Sequence, residues 1–193
     1  MHINFRKLTL HNFLSFGHST IEFEDDGFIR VTGINENPDD LAVSNGSGKS
    51  SILKLIFGQQ IPHTGTVEIG SGLQISYVAQ DASHLQGTLT DFARQSNLDE
   101  ALFKAILRKL DFSQTQFYKD MAQFSSGQKK KVLLARSICQ PVHLHIWDEP
   151  MNYIDVLSRM QIEDLLLSFR PTIQFVEHDR VFCENIATKV IDL

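Results

Sequence analysis

A chain of 193 residues is long enough to bury one full hydrophobic core, and its formal net charge of −5 excludes a protein held to nucleic acid by its overall field. At 42% apolar and 21% charged residues it has the composition of an ordinary globular domain, with no apolar run long enough for a membrane span and no secretory h-region. Cys139 and Cys183 are too few and too far apart for a disulfide framework or a metal clip, which predicts free core thiols in a reduced, cytoplasmic setting.

The first elements are strands. Phe5 to Phe13 alternates, with Leu8 and Leu10 set against Thr9 and His11. Thr20 to Glu24 reads as a second strand, and the turn Asp25-Asp26-Gly27 leads into a third, Phe28 to Thr32. Arg6, Lys7 and Arg30 face Glu22, Glu24, Asp25, Asp26, Glu36, Asp39 and Asp40, so residues 1–44 carry most of the negative excess. Asn35 to Val43 is polar, contains Pro38, and is predicted to be an exposed loop.

Ser44-Asn45-Gly46-Ser47-Gly48-Lys49-Ser50-Ser51 comes next and reads as a phosphate cradle. Gly46 and Gly48 carry no Cβ, so backbone N–H groups can close on an anion. Lys49 supplies a point charge for outer phosphates, and the Ser50 hydroxyl is placed to ligate Mg²⁺. The apolar run Ile52 to Phe57 predicts a helix directly behind the loop, ending near Gly58, whose dipole favours phosphate. The pattern G-x-x-x-x-G-K-[ST] lacks its first glycine, because that position is Val43. A Gly/Ser-rich linker before an amphipathic helix is the competing reading.

Thr66 to Ile69 and Leu73 to Ala79 are strand candidates separated by Gly70-Ser71-Gly72. Thr88 can cap a helix, and Leu102, Phe103, Ile106, Leu107 and Leu110 give Glu100 to Leu110 helical spacing. Phe112 to Phe124 reads as helix plus loop. Ser125 or Ser126 caps a helix from about Gly127 to Cys139, and its run Lys129-Lys130-Lys131, with Arg136, reads as a solvated face before an RNA or phosphate contact. Val142 to Trp147, Thr172 to Val176 and Ala187 to Leu193 are predicted strands, with a long helix from Met151 to Phe169. Strands alternating with helices after the cradle predict an α/β fold with a mostly parallel sheet.

Four further positions carry candidate chemistry. Asp148 ends an apolar strand, where α/β sheets bind ligands, and suits a Mg²⁺ anchor, with Glu149 beside it as general base. A simple strand-ending turn at Pro150 is the alternative. Gln80 ends a strand and can reach Mg²⁺ or water, and His178 follows a strand and can meet a γ-phosphate; alone, each would be a surface or structural residue. Phe124-Ser125-Ser126-Gly127-Gln128 offers small residues and N–H groups at a helix start, a second anion site or a plain cap.

In this order the motifs resemble the ATP-binding cassette (ABC) ATPases over essentially the whole chain. Ser44 to Ser51 resembles the Walker A loop, Gln80 the Q-loop, and Phe124 to Gln128 the signature LSGGQ with two changes. Leu144 to Glu149 resembles Walker B, Ile154-Asp155 the D-loop, and His178 the H-loop. The resemblance implies a single P-loop nucleotide-binding domain over 1–193, with an N-terminal antiparallel β subdomain and a helical subdomain at about 85–138. It implies ATP and Mg²⁺ as ligands. Asn45, Gly46, Ser47, Gly48, Lys49, Ser50 and Ser51 would lie on the phosphates, and Ser50, Gln80 and Asp148 around the metal. Glu149, His178 and Lys49 would be catalytic. Ser125, Ser126, Gly127, Gln128 and Asp155 would complete the site of a second cassette or a second copy. Phe16 is a candidate adenine platform, or a core phenylalanine.

From about Asn45 onward the wording resembles the second cassette of the ABC-F ribosome-protection proteins, notably Ser126 to Leu133, Ile146 to Asp155 and Phe175 to Asp179. Leu8 to Phe16 and Val31 to Asn35 instead resemble the opening of SMC-like DNA-repair and phage recombination ATPases, with Gly33 as a displaced counterpart of the glycine missing at Val43. The expectation is therefore an ATP-hydrolysing cassette, natural or recombined. Its rivals are a ribosome- or RNA-associated switch and a chimera with little selected function.

Overall fold

The computed structural model describes residues 7–13, 16–22, 28–32, 49–61 and 72–192, the first three stretches as backbone strands. Two of those strands, β1 (Lys7–Phe13) and β2 (Phe16–Glu22), form an antiparallel hairpin in the register Lys7↔Glu22 to Phe13↔Phe16. The second starts at Phe16, four residues before the predicted Thr20, because pairing with β1 extends it to the turn.

The main sheet is parallel throughout. It comprises β3 (Phe28–Thr32), β4 (Ile75–Val78), β5 (Leu144–Asp148), β6 (Ile173–Val176) and β7 (Lys189–Asp192), in the order β4-β5-β6-β3-β7. Every residue of β5 and β6 is buried, the pattern of parallel strands covered on both faces. Helix α1 (Lys49–Ile56) packs on one face through Ile52, Leu53 and Ile56. The other face carries α4 (Ser126–Cys139) and α6 (Arg180–Ile186): His145 and Trp147 meet Ser137 of α4, and Phe175 meets Phe182 edge-on at 5.5 Å. Because side chains alternate along a strand, Ile146, Asp148, Gln174 and Val176 point to the α1 side.

Helices α2 (Leu89–Gln95) and α3 (Glu100–Lys109) bring Leu89, Phe103 and Leu107 into one core with Val132, Leu134 and Trp147. Both are capped, Thr88, as predicted, accepting from Asp91 N–H, and Asp99 accepting from Leu102 N–H. Residues 112–124 form two 3₁₀ turns, Gln114–Tyr118 and Met121–Gln123, and no α-helix. Helix α5 (Val156–Phe169) begins five residues after the predicted Met151. Pro150 and the left-handed Tyr153 (φ 64°) hold 151–155 in a turn, and Asp155 is the cap. The helix α6 was not predicted: at seven residues it is too short to show a period, and its only sequence cue is the Asp179 cap. The strand predicted at Thr66–Ile69 and the loop predicted at Asn35–Val43 lie outside the described residues.

Candidate nucleotide site

In a parallel sheet all carboxyl ends open onto one edge, so the residues that follow β4, β5 and β6 meet beside the start of α1. Ser50, in the first turn of α1, donates its hydroxyl proton to Asp148 Oδ1 at 3.0 Å. The second oxygen, Oδ2, accepts from the Tyr77 phenol at 3.2 Å, and the Tyr77 ring stacks on Phe57 with centroids 5.1 Å apart. Burial, and then the Asp148 charge, raise the Tyr77 hydroxyl above its ordinary range, so it remains a proton donor. Asp148 is thus buried and oriented from two sides. A hydroxyl beside a carboxylate is a hard-oxygen pair of the kind Mg²⁺ takes, with phosphate and water supplying its other ligands. Among the described residues no cluster of three or more His, Cys, Asp or Glu is placed to hold a metal ion. Lys49 opens α1 and Ser51 follows Ser50 in it. Asn45, Gly46, Ser47 and Gly48, together with Val43, Gly33 and the Phe16 side chain, lie outside the described residues.

Glu149 sits next to this pair in the left-handed region, at φ 46°. For a non-glycine residue that conformation costs about 1 kcal/mol or more, and such strain gathers at functional turns. Its Oε2 accepts from Gln80 Nε2 at 2.6 Å and from Asn152 Nδ2 at 2.6 Å. Its Oε1 faces His178 Nε2 at 3.8 Å, and the His178 side chain is 69% exposed. The structure therefore places Gln80 on Glu149 and not on the Ser50–Asp148 pair predicted for it. Its amide is committed to the carboxylate, and only its oxygen is left to face a metal.

Ser125 to Gln128 form a capping box. Ser125 Oγ accepts from Gln128 N–H at 3.2 Å, and Gln128 Oε1 accepts from Ser125 N–H at 3.0 Å, so two of the expected anion-binding donors or acceptors serve the helix itself. A Cβ on Gly127 would collide with the Tyr153 carbonyl oxygen, which makes this glycine a matter of close approach. Asp155 caps α5, accepting from Ser158 N–H at 2.9 Å, and pairs with Lys131 at 3.3 Å. Hydrogen bonds from Ser158 hold the Asp155 carboxyl down at about 2. Among the described residues no hydrogen bond joins Ser125–Gln128 to Ser50, Asp148 or Glu149. A cleft of about 390 Å³ separates the start of α4 from the loop after β4, lined by Gln80, Asp81, Ser126, Lys129 and Tyr153.

The lysine run is not a solvated face. Lys130 is 1% and Lys131 8% exposed. Lys130 Nζ donates to the carbonyls of Ala79 (2.8 Å), Gln80 (3.3 Å) and Asp148 (3.1 Å), and Lys131 Nζ to that of Leu110 (3.2 Å). Burial lowers the Lys130 ammonium to about 8, against the opposing pull of Asp148, Glu177, Glu149 and Asp81. Glu177, also buried, accepts from the backbone N–H groups of Met151, His178 and Asp179. Sequence reading missed Tyr77, Lys130, Asn152 and Glu177. For Lys130 a signal existed: it stands three and four positions before the apolar Leu133 and Leu134, on the helix face that turns inward, where a stem can bury. The other three announce themselves only through their partners.

The sequence model of the family described as "ABC transporter" matches residues 41–152, more than half of the chain. The ATP-binding protein Uup of Caulobacter vibrioides is 31% identical over 158 residues, which are 77% of this chain and 26% of that protein. ABC transporter F family member 2 of Arabidopsis thaliana is 29% identical over 155 residues, covering 77% of this chain and 23% of its own length. The chain thus spans about a quarter of the length of these relatives. Among solved structures, RNase-L Inhibitor superposes with a TM-score of 0.72 at 18% identity, over 100% of this chain and 37% of its own. The fold is that of the ABC-type P-loop ATPases. The expected join to an SMC-like segment finds no support: the family match already begins at residue 41, and that one fold covers the N-terminal strands as well.

Proposed function

Because this chain belongs to the ABC transporter family of ATP-binding cassettes, we propose that it binds Mg-ATP across the carboxyl ends of the parallel strands and hydrolyses it at a site completed by a second cassette. The observation that carries this reading is the Ser50–Asp148 hydrogen bond of 3.0 Å, made between residues 98 apart in sequence, with Glu149 next in the chain. We read the chain as one nucleotide-binding domain, with a helical subdomain at about 85–138.

Lys49 and the amides of residues 45–51 hold the phosphates, as the cradle sequence leads one to expect. Ser50 and Asp148 would hold Mg²⁺ through their oxygens, and Gln80, whose amide nitrogen is bonded to Glu149, would have its amide oxygen to add. Bound Mg²⁺ supplies charge neutralisation on the phosphate oxygens. Glu149 is the general base, and its working atom is Oε1, since Oε2 already accepts from Gln80 and Asn152. His178, facing the same oxygen, holds the γ-phosphate in line. The start of α4, Ser125 to Gln128, and Asp155 serve the site of a partner cassette, either a second copy of this chain or another cassette. Catalysis on this reading is positioning and electrostatics.

Glu149→Gln is the test: turnover falls by roughly 10²- to 10⁴-fold while ATP still binds. Unchanged turnover removes Glu149 as the base, and absent ATP binding removes the whole reading. A second reading is supported by the likeness to the ABC transporter F relative, a cassette acting as a ribosome- or RNA-associated switch in the cytoplasm. ATP-dependent co-sedimentation with ribosomes distinguishes it. Among the described residues no helix is long and apolar enough to cross a membrane.

A further inference from the structure

We propose that Lys130 and Glu177 are positioning residues: two buried opposite charges that lock the loops carrying Gln80, Glu149 and His178 into one register. This rests on the reading of Glu149 as the base.

An ammonium has three protons, and Lys130 Nζ meets three carbonyls, those of Ala79 (2.8 Å), Gln80 (3.3 Å) and Asp148 (3.1 Å). It ties the loop after β4 to the end of β5. A carboxylate only accepts, and Glu177 meets three N–H donors: Met151 on Oε2 (2.8 Å), His178 (2.7 Å) and Asp179 (3.1 Å) on Oε1. It ties the loop after β5 to the loop after β6. The segment carrying Glu149 is therefore held from both sides, by its carbonyl at 148 and its amide at 151. A left-handed glutamate persists only where its surroundings over-determine it, and these two bonds flank that residue. The same two neighbouring loops deliver the side chains that meet it, Gln80 at 2.6 Å and His178 at 3.8 Å. Both charges are almost solvent-free, at 1% and 4% exposure.

Removing either charge leaves three backbone groups short of a partner, so a single variant costs stability as well as position. Comparing kcat with melting temperature and affinity therefore separates positioning from folding. Lys130→Met, Glu177→Gln and the double variant are compared with the parent for kcat, KM, equilibrium Mg-ATP affinity, melting temperature, and amide exchange at residues 79–83, 148–152 and 177–179. In Glu177→Gln one acceptor becomes an NH₂ group, so either the Met151 amide or the His178 and Asp179 amides lose protection. The expected result is a fall in kcat of about tenfold or more, with ATP affinity unchanged and faster exchange confined to those loops. Folded variants with parental kcat, or with parental exchange at all three loops, overturn the proposal, as does a loss of kcat that merely follows melting and affinity down. Should one variant not fold, the other decides on the same criteria. Should the parent bind ATP without hydrolysing it, the base assignment fails and the exchange data alone judge the clasp: lost protection sustains it, retained protection overturns it.

Discussion

Gln174 shows how a single residue can oppose its surroundings. It lies in β6, fully buried, and among the described residues neither Nε2 nor Oε1 has a hydrogen-bond partner. Its neighbour across the ladder is Ile146, and the covering helix α1 is apolar there. A buried unsatisfied amide costs about 1–3 kcal/mol, so Gln174→Leu is expected to stabilise the fold by about that amount, read as a higher denaturant midpoint with an unchanged slope. A lower midpoint would mean that the amide has a role after all. Glu149 is the opposite case, a strained residue whose surroundings agree with it: two amides hold one oxygen and leave the other for chemistry. The general-base assignment and the loss of turnover in Glu149→Gln belong to this scale.

At the scale of elements, the start of α4 is set by two different devices. The capping box of Ser125 and Gln128 was legible, because Ser followed three residues later by Gln before an apolar run is a helix-start pattern. The demand on Gly127 was not, since the carbonyl that excludes a Cβ belongs to Tyr153, a residue on another element. Gly127→Ala is expected to cost about 1–3 kcal/mol by overpacking and to push the 151–155 turn away from α4. A thermal melt matching the parent would show that the turn yields freely. The late start of α5 has the same logic: Met151 to Asp155 is compatible with helix by composition, but the hydrogen bond from Met151 N–H to Glu177, made across strands, holds it as a turn.

At the scale of the whole molecule, a pH-sensitive burial lies on the face away from the site. His145, 5% exposed, lies with Ser137, Ser76 and Trp147 in a polar pocket between β5 and α4, and burial lowers its pKa from 6.5 to about 4. The unfolded chain therefore binds this proton more readily, so stability is complete above pH 6.5 and is lost as pH falls from there toward 4. The loss is about 3 kcal/mol when integrated over that interval. Denaturation series between pH 7 and pH 4 check it, and His145→Asn is expected to flatten the slope. Assembly is tested at the same scale: Glu149→Gln with Mg-ATP should elute as a dimer and without it as a monomer, since among the described residues no hydrogen bond joins Ser125–Gln128 to Ser50 or the Asp148 side chain within one chain.

By itself the sequence determined the strands β4 to β7 and the helices α1 to α5 in their order, though not α6, and the caps at Thr88 and Ser125; it also singled out Ser50, Asp148, Glu149 and His178 as candidates for one site. These rest on local chemistry: capping, periodicity and residue types whose spacing carries meaning. Only the tertiary structure decided which of them touch. It put Gln80 on Glu149, turned the lysine run inward, and gave Glu177 its three N–H donors, because a buried charge is defined by partners that are remote in sequence and adjacent only once parallel strands bring their ends together.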